Sequence, residues 1–304
     1  MLDRSTAAPR VRAPERENAM DHYDAHVHFL WNGPLEEAAR GWMPLQENGL
    51  RGMAVIVMGY HPVGRARCLD LIPSAYHDRV DPSFFDEPAD PAAPVPRDLW
   101  GIPLFPYLDS RYMEDAVSDL RPFREAGFRG LKVLFIPEED PENGMVGWKR
   151  CFGRSMGESE TLTARLVEQA AAFRWPVIFH ADLRRYGPFV EDLLEAHRGV
   201  PFVIPHFGFS RKAVAGLMER LDHVYTDFSS LLPFMQKAPE AYAGFIRDHA
   251  DRVLFGSDAT LGWPELTARY LDAFRGMIPD EEVLQEVLVE NYLRIHGGAD
   301  RAPR

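Results

Sequence analysis

Short apolar runs rich in branched and aromatic side chains recur along the chain. Each is followed by a stretch whose apolar positions return every three or four residues. The first pattern suits a buried strand and the second one face of a helix, so the alternation predicts β-α units around a parallel sheet. Eight runs qualify as strands: "YDAHVHF" at 23, "GMAVIVMGY" at 52, "GIPLFPYLD" at 101, "GLKVLFIP" at 130, "PVIFHAD" at 176, "PFVIPHFG" at 201, "HVYTDFSS" at 223 and "RVLFGSDA" at 252. Helices are predicted over 35–47, 111–126, 160–174, 186–198, 210–220, 233–249, 263–274 and 281–296. In 160–174, Leu162, Leu166, Ala170 and Phe173 form one stripe, with Arg165 and Glu168 off it. Asp280 is placed to cap the last helix and Gly297 to stop it.

Two stretches break the rhythm: residues 61–100, rich in Pro and Asp, and residues 138–159. Both follow the C-terminal end of a strand, where a barrel carries its functional loops, and both are expected to be lids. The rhythm never lapses long enough to suggest a second domain. Residues 21–304 therefore read as one α/β domain, a (β/α)8 TIM barrel with long loops at the C-terminal face of the strands. Residues 1–20 have charges and prolines where a signal peptide carries its apolar stretch, and are expected to form a flexible tail.

Composition narrows the function. The net charge of -12 leaves no basic stripe for a phosphate backbone, so nucleic acid is not an expected partner. No run is long enough to span a membrane. The two cysteines, Cys68 and Cys151, show no paired spacing, which suggests neither a disulfide framework nor a thiolate metal site and fits a reducing cytoplasm. A small molecule is the expected partner, and a homodimer is left open.

The candidate chemistry lies at strand ends. His26 and His28 alternate in the first strand with Asp24, so all three would leave the same face. "VIFH" ends in His180, "FVIPH" in His206 and "VLFGSD" in Asp258. Each alone reads as a capped strand-end side chain. A parallel barrel, however, gathers the C-terminal ends of its strands at one mouth, and neutral imidazoles with a carboxylate suit a divalent transition metal.

This ordered set, Asp24-x-His26-x-His28, His180, His206 in "PHFG", Asp258 in "FGSDA" and a closing "ENYLRIHG", resembles the amidohydrolase superfamily. The likeness spans residues 23–297 and is greatest to its amidohydrolase-related branch of metal-dependent hydrolases and decarboxylases. The resemblance implies that His26, His28, His180 and Asp258 hold one catalytic metal, zinc first, with manganese, iron or cobalt as alternatives, and that His206 lies beside it. Such a metal would acidify a bound water and polarise the substrate carbonyl. Asp258 would then take the proton and pass it to the leaving group, while His206 stabilises the oxyanion or orients the water. Hydrolysis of an ester, lactone or amide is the expected reaction. Nonoxidative decarboxylation by the same residues is the alternative, and a barrel serving only as a metal-stabilised scaffold is a third reading.

Substrate contacts are expected from Lys132, which interrupts an apolar strand, and from Arg184, Arg185 and Lys149, any of which could clamp a carboxylate. Lys132 also resembles the carboxylated lysine that bridges two metals in some branches, although an unmodified lysine with one metal is expected here. Phe29, Trp31, Tyr60 and Trp148 could line an apolar pocket or pack in the core. His22, His61, His77, His197, His223, His249 and His296 are assigned no role. No G-x-S-x-G occurs, and Ser257 reads as a turn residue.

Overall fold

The computed structural model of the chain describes residues 20–31, 33–61, 64, 68–80, 82–86, 94–114 and 119–297; the tail expected over the first residues lies outside them, apart from Met20. The strands are β1 (His22–Phe29), β2 (Leu50–Met58), β3 (Asp98–Leu99), β4 (Ile102–Asp109), β5 (Gly130–Leu134), β6 (Val177–His180), β7 (Phe202–Ile204), β8 (Val224–Asp227), β9 (Val253–Leu254) and β10 (Ala259–Thr260). All pairings are parallel except the short β3–β4 ladder, in the order β10-β1-β2-β4-β5-β6-β7-β8-β9. The eighth barrel position is one strand in two pieces. Its first half, β9, pairs with β8, and its second half, β10, pairs with β1. Backbone bonds from Ala25 N–H to Phe255 O and from Asp258 N–H to His26 O, both 2.9 Å, close the ring between the halves. The eight predicted strands thus build the predicted barrel.

Two layers of core follow from strand alternation. Ala25, Ala54, Ile56, Phe105, Ile178, Val203 and Leu254 fill the interior, closed from below by Tyr292 and Ile295. The opposite faces, such as Val27, Val55 and Val133, pack with the surrounding helices in the large outer core. The helices are α1 (Leu35–Glu47), α2 (Arg121–Ala126), α3 (Trp148–Phe152), α4 (Met156–Ala172), α5 (Leu183–Ala196), α6 (Arg211–Arg220), α7 (Leu232–Lys237), α8 (Pro239–Asp248), α9 (Pro264–Met277), α10 (Glu281–Gln285) and α11 (Asn291–His296).

Three predicted helices are corrected. Of the helix predicted over 111–126, the described residues form Arg121–Ala126; residues 115–118 lie outside them, and Arg111 turns back onto Asp109 with a 2.6 Å ion pair and leaves the helical path. The one predicted over 233–249 is two helices. Pro239 disfavours the helical conformation at Ala238, which lies outside it (φ -139°, ψ 58°), and the helix breaks there. The closing helix carries a π-turn at Glu286–Glu290, between the Asp280 cap and Gly297, which both stand where the sequence placed them. The segment 138–159 is not a loop throughout, since it contains α3 and the start of α4, whose Ser155 and Glu158 form a reciprocal capping box.

Candidate functional site

Local backbone irregularity at the barrel mouth aims the candidate side chains. The β1–β2 register shifts between Asp24 and Val27, and this bulge breaks the strict alternation read from the sequence. Ala25 stays in the barrel interior and Val27 in the outer core. His26 and His28 face the cavity, whereas Asp24 does not line it and is bound elsewhere. Asp24 accepts the Ser257 hydroxyl at 2.6 Å, the Thr267 hydroxyl at 2.9 Å and the amides of His26 and Ser257. It ties β1 to the eighth strand position and to α9, and Ser257 is part of that tie.

Imidazoles and a carboxylate meet above this clamp. Asp258 Oδ1 lies 3.0 Å from His28 Nε2 and 3.4 Å from His26 Nε2. A ligand atom of each of these three residues lies within 4.8 Å of the others. His180 lines the same cavity but stands outside this compact group; its Nδ1 lies 3.2 Å from His206 Nε2. His206 Nδ1 in turn donates to the Ser229 carbonyl at 2.8 Å. That bond leaves the lone pair on Nε2, so His180 Nδ1 is the donor between the two rings. The turn carrying His206 is left-handed through His206, Phe207 and Gly208, with φ between 52° and 57°. At Gly208 a Cβ would come within 2.4 Å of the Leu183 side chain.

Asp227 was not singled out in the sequence, yet it organises the group. Its Oδ2 accepts from His26 Nδ1 at 2.9 Å, which fixes the His26 tautomer and turns the Nε2 lone pair toward Asp258 and His28. Its Oδ1 accepts the amides of His206 and Ser229. The only sequence signal was an acid at the end of an apolar strand, the same signal that marked Asp258. Gly256 makes room for this pair: a Cβ there would lie 3.0 Å from His26 Cβ and 3.3 Å from Asp227 Cβ.

The protonation states follow from burial. Desolvation lowers His26 to about 4, lowers His28, and takes His180 well below its ordinary value, so the imidazoles are neutral at neutral pH. Burial alone would raise Asp258 and Asp227, but the adjacent imidazoles hold both carboxyls below their ordinary range. Lys132 is 1% exposed, and its Nζ lies 3.3 Å from His26 Nε2. Burial lowers it to about 8 against the pull of Asp258, Asp109 and Asp227.

A cavity of about 730 Å³ opens over these groups. Its apolar wall comes from Ile72, Leu134, Met145, Phe209, Phe234 and Trp263, among others. Of the aromatic candidates, Trp148 is buried against Phe135, and neither it nor Phe29, Trp31 or Tyr60 lines the cavity. Arg184 does line it, held by Asp182 at 2.8 Å and Glu142 at 3.2 Å. Arg185 and Lys149 do not; Arg185 points to Glu138 at 3.2 Å, and Lys149 is exposed on α3. Arg111, Arg211 and Arg269 line the cavity and were not anticipated, because nothing in their local sequence marks the mouth. None of the seven histidines left without a role lines it.

The family description "Amidohydrolase" matches residues 23–297. The chain belongs to the amidohydrolase family. It is a metal-dependent hydrolase of that family, and solved structures agree on the fold. A probable 2-pyrone-4,6-dicarboxylic acid hydrolase from Acinetobacter baumannii, with citric acid bound, aligns at 13% identity and TM-score 0.52, over 91% of this chain and 100% of that one. A protein of Agrobacterium tumefaciens aligns at 17% identity and TM-score 0.54, over 92% and 96%. A TIM-barrel protein of Bordetella bronchiseptica aligns at 15% identity and TM-score 0.52, over 92% and 100%. No curated protein matches the chain. No helix of this amidohydrolase, among the described residues, is long and apolar enough to cross a membrane.

The donor set fits the metal that the family implies. Tetrahedral zinc with ligands at about 2.0–2.1 Å separates its ligand atoms by about 3.3 Å. The 3.0 and 3.4 Å separations around Asp258 Oδ1 match that spacing.

Proposed function

We propose that this amidohydrolase cleaves an ester, lactone or amide bond in a small carboxylate-bearing substrate, at a single divalent metal, zinc first. The observation that carries the reading is the convergence of His26 Nε2, His28 Nε2 and Asp258 Oδ1 at the barrel mouth. These three would hold the metal, with His180 completing the set through Nε2, the ring nitrogen left free by its bond to His206. When bound, the metal supplies an acidified water and an electrophile for the carbonyl.

The chain's own groups do the rest. Asp258, ionised and beside the ligand atoms, takes the proton of the attacking water and returns it to the leaving group. His206, with its Nδ1–H donated to the Ser229 carbonyl, meets His180 through Nε2. It therefore acts by orienting ligand and water rather than by donating to an oxyanion. Lys132, unmodified, keeps a positive charge beside His26 and faces the substrate.

Charge supports an anionic substrate. In a chain of net charge -12, the described residues that line the cavity include Arg111, Lys132, Arg184, Arg211 and Arg269 against Glu142 and Asp258 as acids. Among the described residues, Arg211 and Arg269 have no carboxylate partner, so they are the arginines free to take one from a ligand. The apolar wall would cover the substrate body.

The test combines metal analysis with a substrate panel. Protein purified without chelator is expected to hold about one divalent ion per chain. Carboxylate-bearing esters, lactones and amides, 2-pyrone-4,6-dicarboxylate included, are then followed by proton release. Hydrolysis that is lost on chelation and restored by metal supports the reading. Release of carbon dioxide without uptake of water would replace it with decarboxylation.

A further inference from the structure

Asp258 has two oxygens with different neighbours. Oδ1 faces His26 and His28, while Oδ2 faces two hydroxyls that the reaction as described does not use. Tyr76 donates to Oδ2 at 3.0 Å, and Ser230 donates to the same oxygen. The two hydroxyl oxygens lie 3.1 Å apart. Each hydroxyl has one hydrogen, and both are spent on Oδ2, so that close approach is imposed by the shared acceptor.

These partners come from separate places and are held there. Ser230 follows β8 in a left-handed conformation, φ 57°, unusual for a residue with a side chain. Asp258 itself has φ 61°. Two non-glycine residues in this conformation, bonded to each other at the cavity, mark a site where the fold constrains geometry. Tyr76 ends a short turn, Ser74–Tyr76, in the long loop after β2. That turn is fastened to the loop after β5: Ser74 N–H donates to Asn143 O at 3.0 Å, and Val146 N–H to Asp70 O at 2.9 Å. Arg111 Nη1 reaches Leu71 O at 2.9 Å and ties the same loop to the end of β4. The two expected lids are thus one assembly, and Tyr76 is its contact with the carboxylate.

We propose that Tyr76 and Ser230 are positioning residues for Asp258: they hold Oδ2 so that Oδ1 is presented to the metal, and Tyr76 makes that alignment depend on the seated lid. The inference rests on the metal reading above. With either hydroxyl removed, Oδ2 keeps one donor instead of two, and the angle at which the carboxylate approaches the metal is less sharply set.

The test uses the full chain, Zn2+ in competition with a chelator, and the visible spectrum of the Co2+-loaded protein. Tyr76→Phe keeps the ring and its packing. Ser230→Gly removes the hydroxyl and suits a left-handed φ, so both variants should fold, as melting of the metal-free proteins will report. Each is expected to weaken metal binding by about 10–100-fold, as loss of a partner behind a metal ligand generally does. Each should also shift the Co2+ bands, which a purely structural role for Tyr76 in lid packing would leave alone. If the parent binds metal and both variants match it in affinity and spectrum, this inference is overturned and the metal reading stands. A parent that binds no metal overturns both.

Discussion

Asp258 sits in a conformation that costs roughly 1–3 kcal/mol for a side chain of its kind. The fold sustains it with the bond from its amide to His26 O and with four side chains around its two oxygens. A residue held so firmly, ionised and beside neutral imidazoles, suits proton transfer. Asp258→Asn is expected to lower turnover by about 10²–10⁴-fold on any substrate of the panel while the melting temperature changes little. An activity within a few fold of the parent would remove Asp258 from that role. Lys132 is the other residue with a decisive test. Its burial disfavours the ammonium, yet three carboxylates favour it, and Nζ already faces the His26 lone pair. A crystal structure of the metal-loaded protein is expected to show an unmodified amine and one metal peak. Density on Nζ bridging two metals would mean a binuclear enzyme.

At the scale of elements, the closure between β1 and the eighth strand position is the weak seam, because the regular ladder stops at Leu254 and resumes at Ala259. Asp24 spans that gap with Ser257 and Thr267. Asp24→Ala would strand two amides and one hydroxyl in a dry interior, the Ser257 and Thr267 hydroxyls keeping each other at 2.9 Å, at about 1–3 kcal/mol for each group left without a partner. Urea denaturation is expected to show a loss of roughly 3 kcal/mol or more, with Asp24→Asn less affected because it keeps an acceptor. Equal stability of Asp24→Ala and the parent would mean that the seam is held by backbone bonds alone.

For the molecule as a whole, buried neutral histidines away from the cavity weaken it in acid, opposed in part by Asp24, which burial raises to about 6 and which gains its proton in the folded state first. Burial lowers His22 to about 4 and His296 to about 3. Below about pH 6.5 the unfolded imidazoles take up protons that the folded ones refuse. The unfolded state then binds more protons, so stability falls as pH drops from about 6.5 toward 4 and levels off once the folded groups titrate. Each such group contributes on the order of 3 kcal/mol over that window. The melting temperature of the metal-free protein should therefore decline steeply between pH 6.5 and 4. A flat profile there would show that these rings are not held neutral.

The sequence by itself determined the barrel, since eight apolar runs alternating with helical stripes admit few other architectures, and it determined which histidines and which acid reach the mouth, because parallel strands end together. It could not determine the direction of Asp24, which a one-residue bulge reverses, nor the break at Ala238 between α7 and α8, though Pro239 was there to be read. Asp227 stood at a strand end as Asp258 does, but Tyr76, Ser230 and the arginines Arg111, Arg211 and Arg269 carry no local pattern that sets them apart from other hydroxyls and bases. Only the tertiary structure brings them within bonding distance of the site or to the cavity wall. Strand and helix periods are local properties of the chain, legible over a few residues. Which side chains share a cavity depends on loops whose course is set by packing and hydrogen bonds between segments far apart in sequence, as between Tyr76 and Asp258.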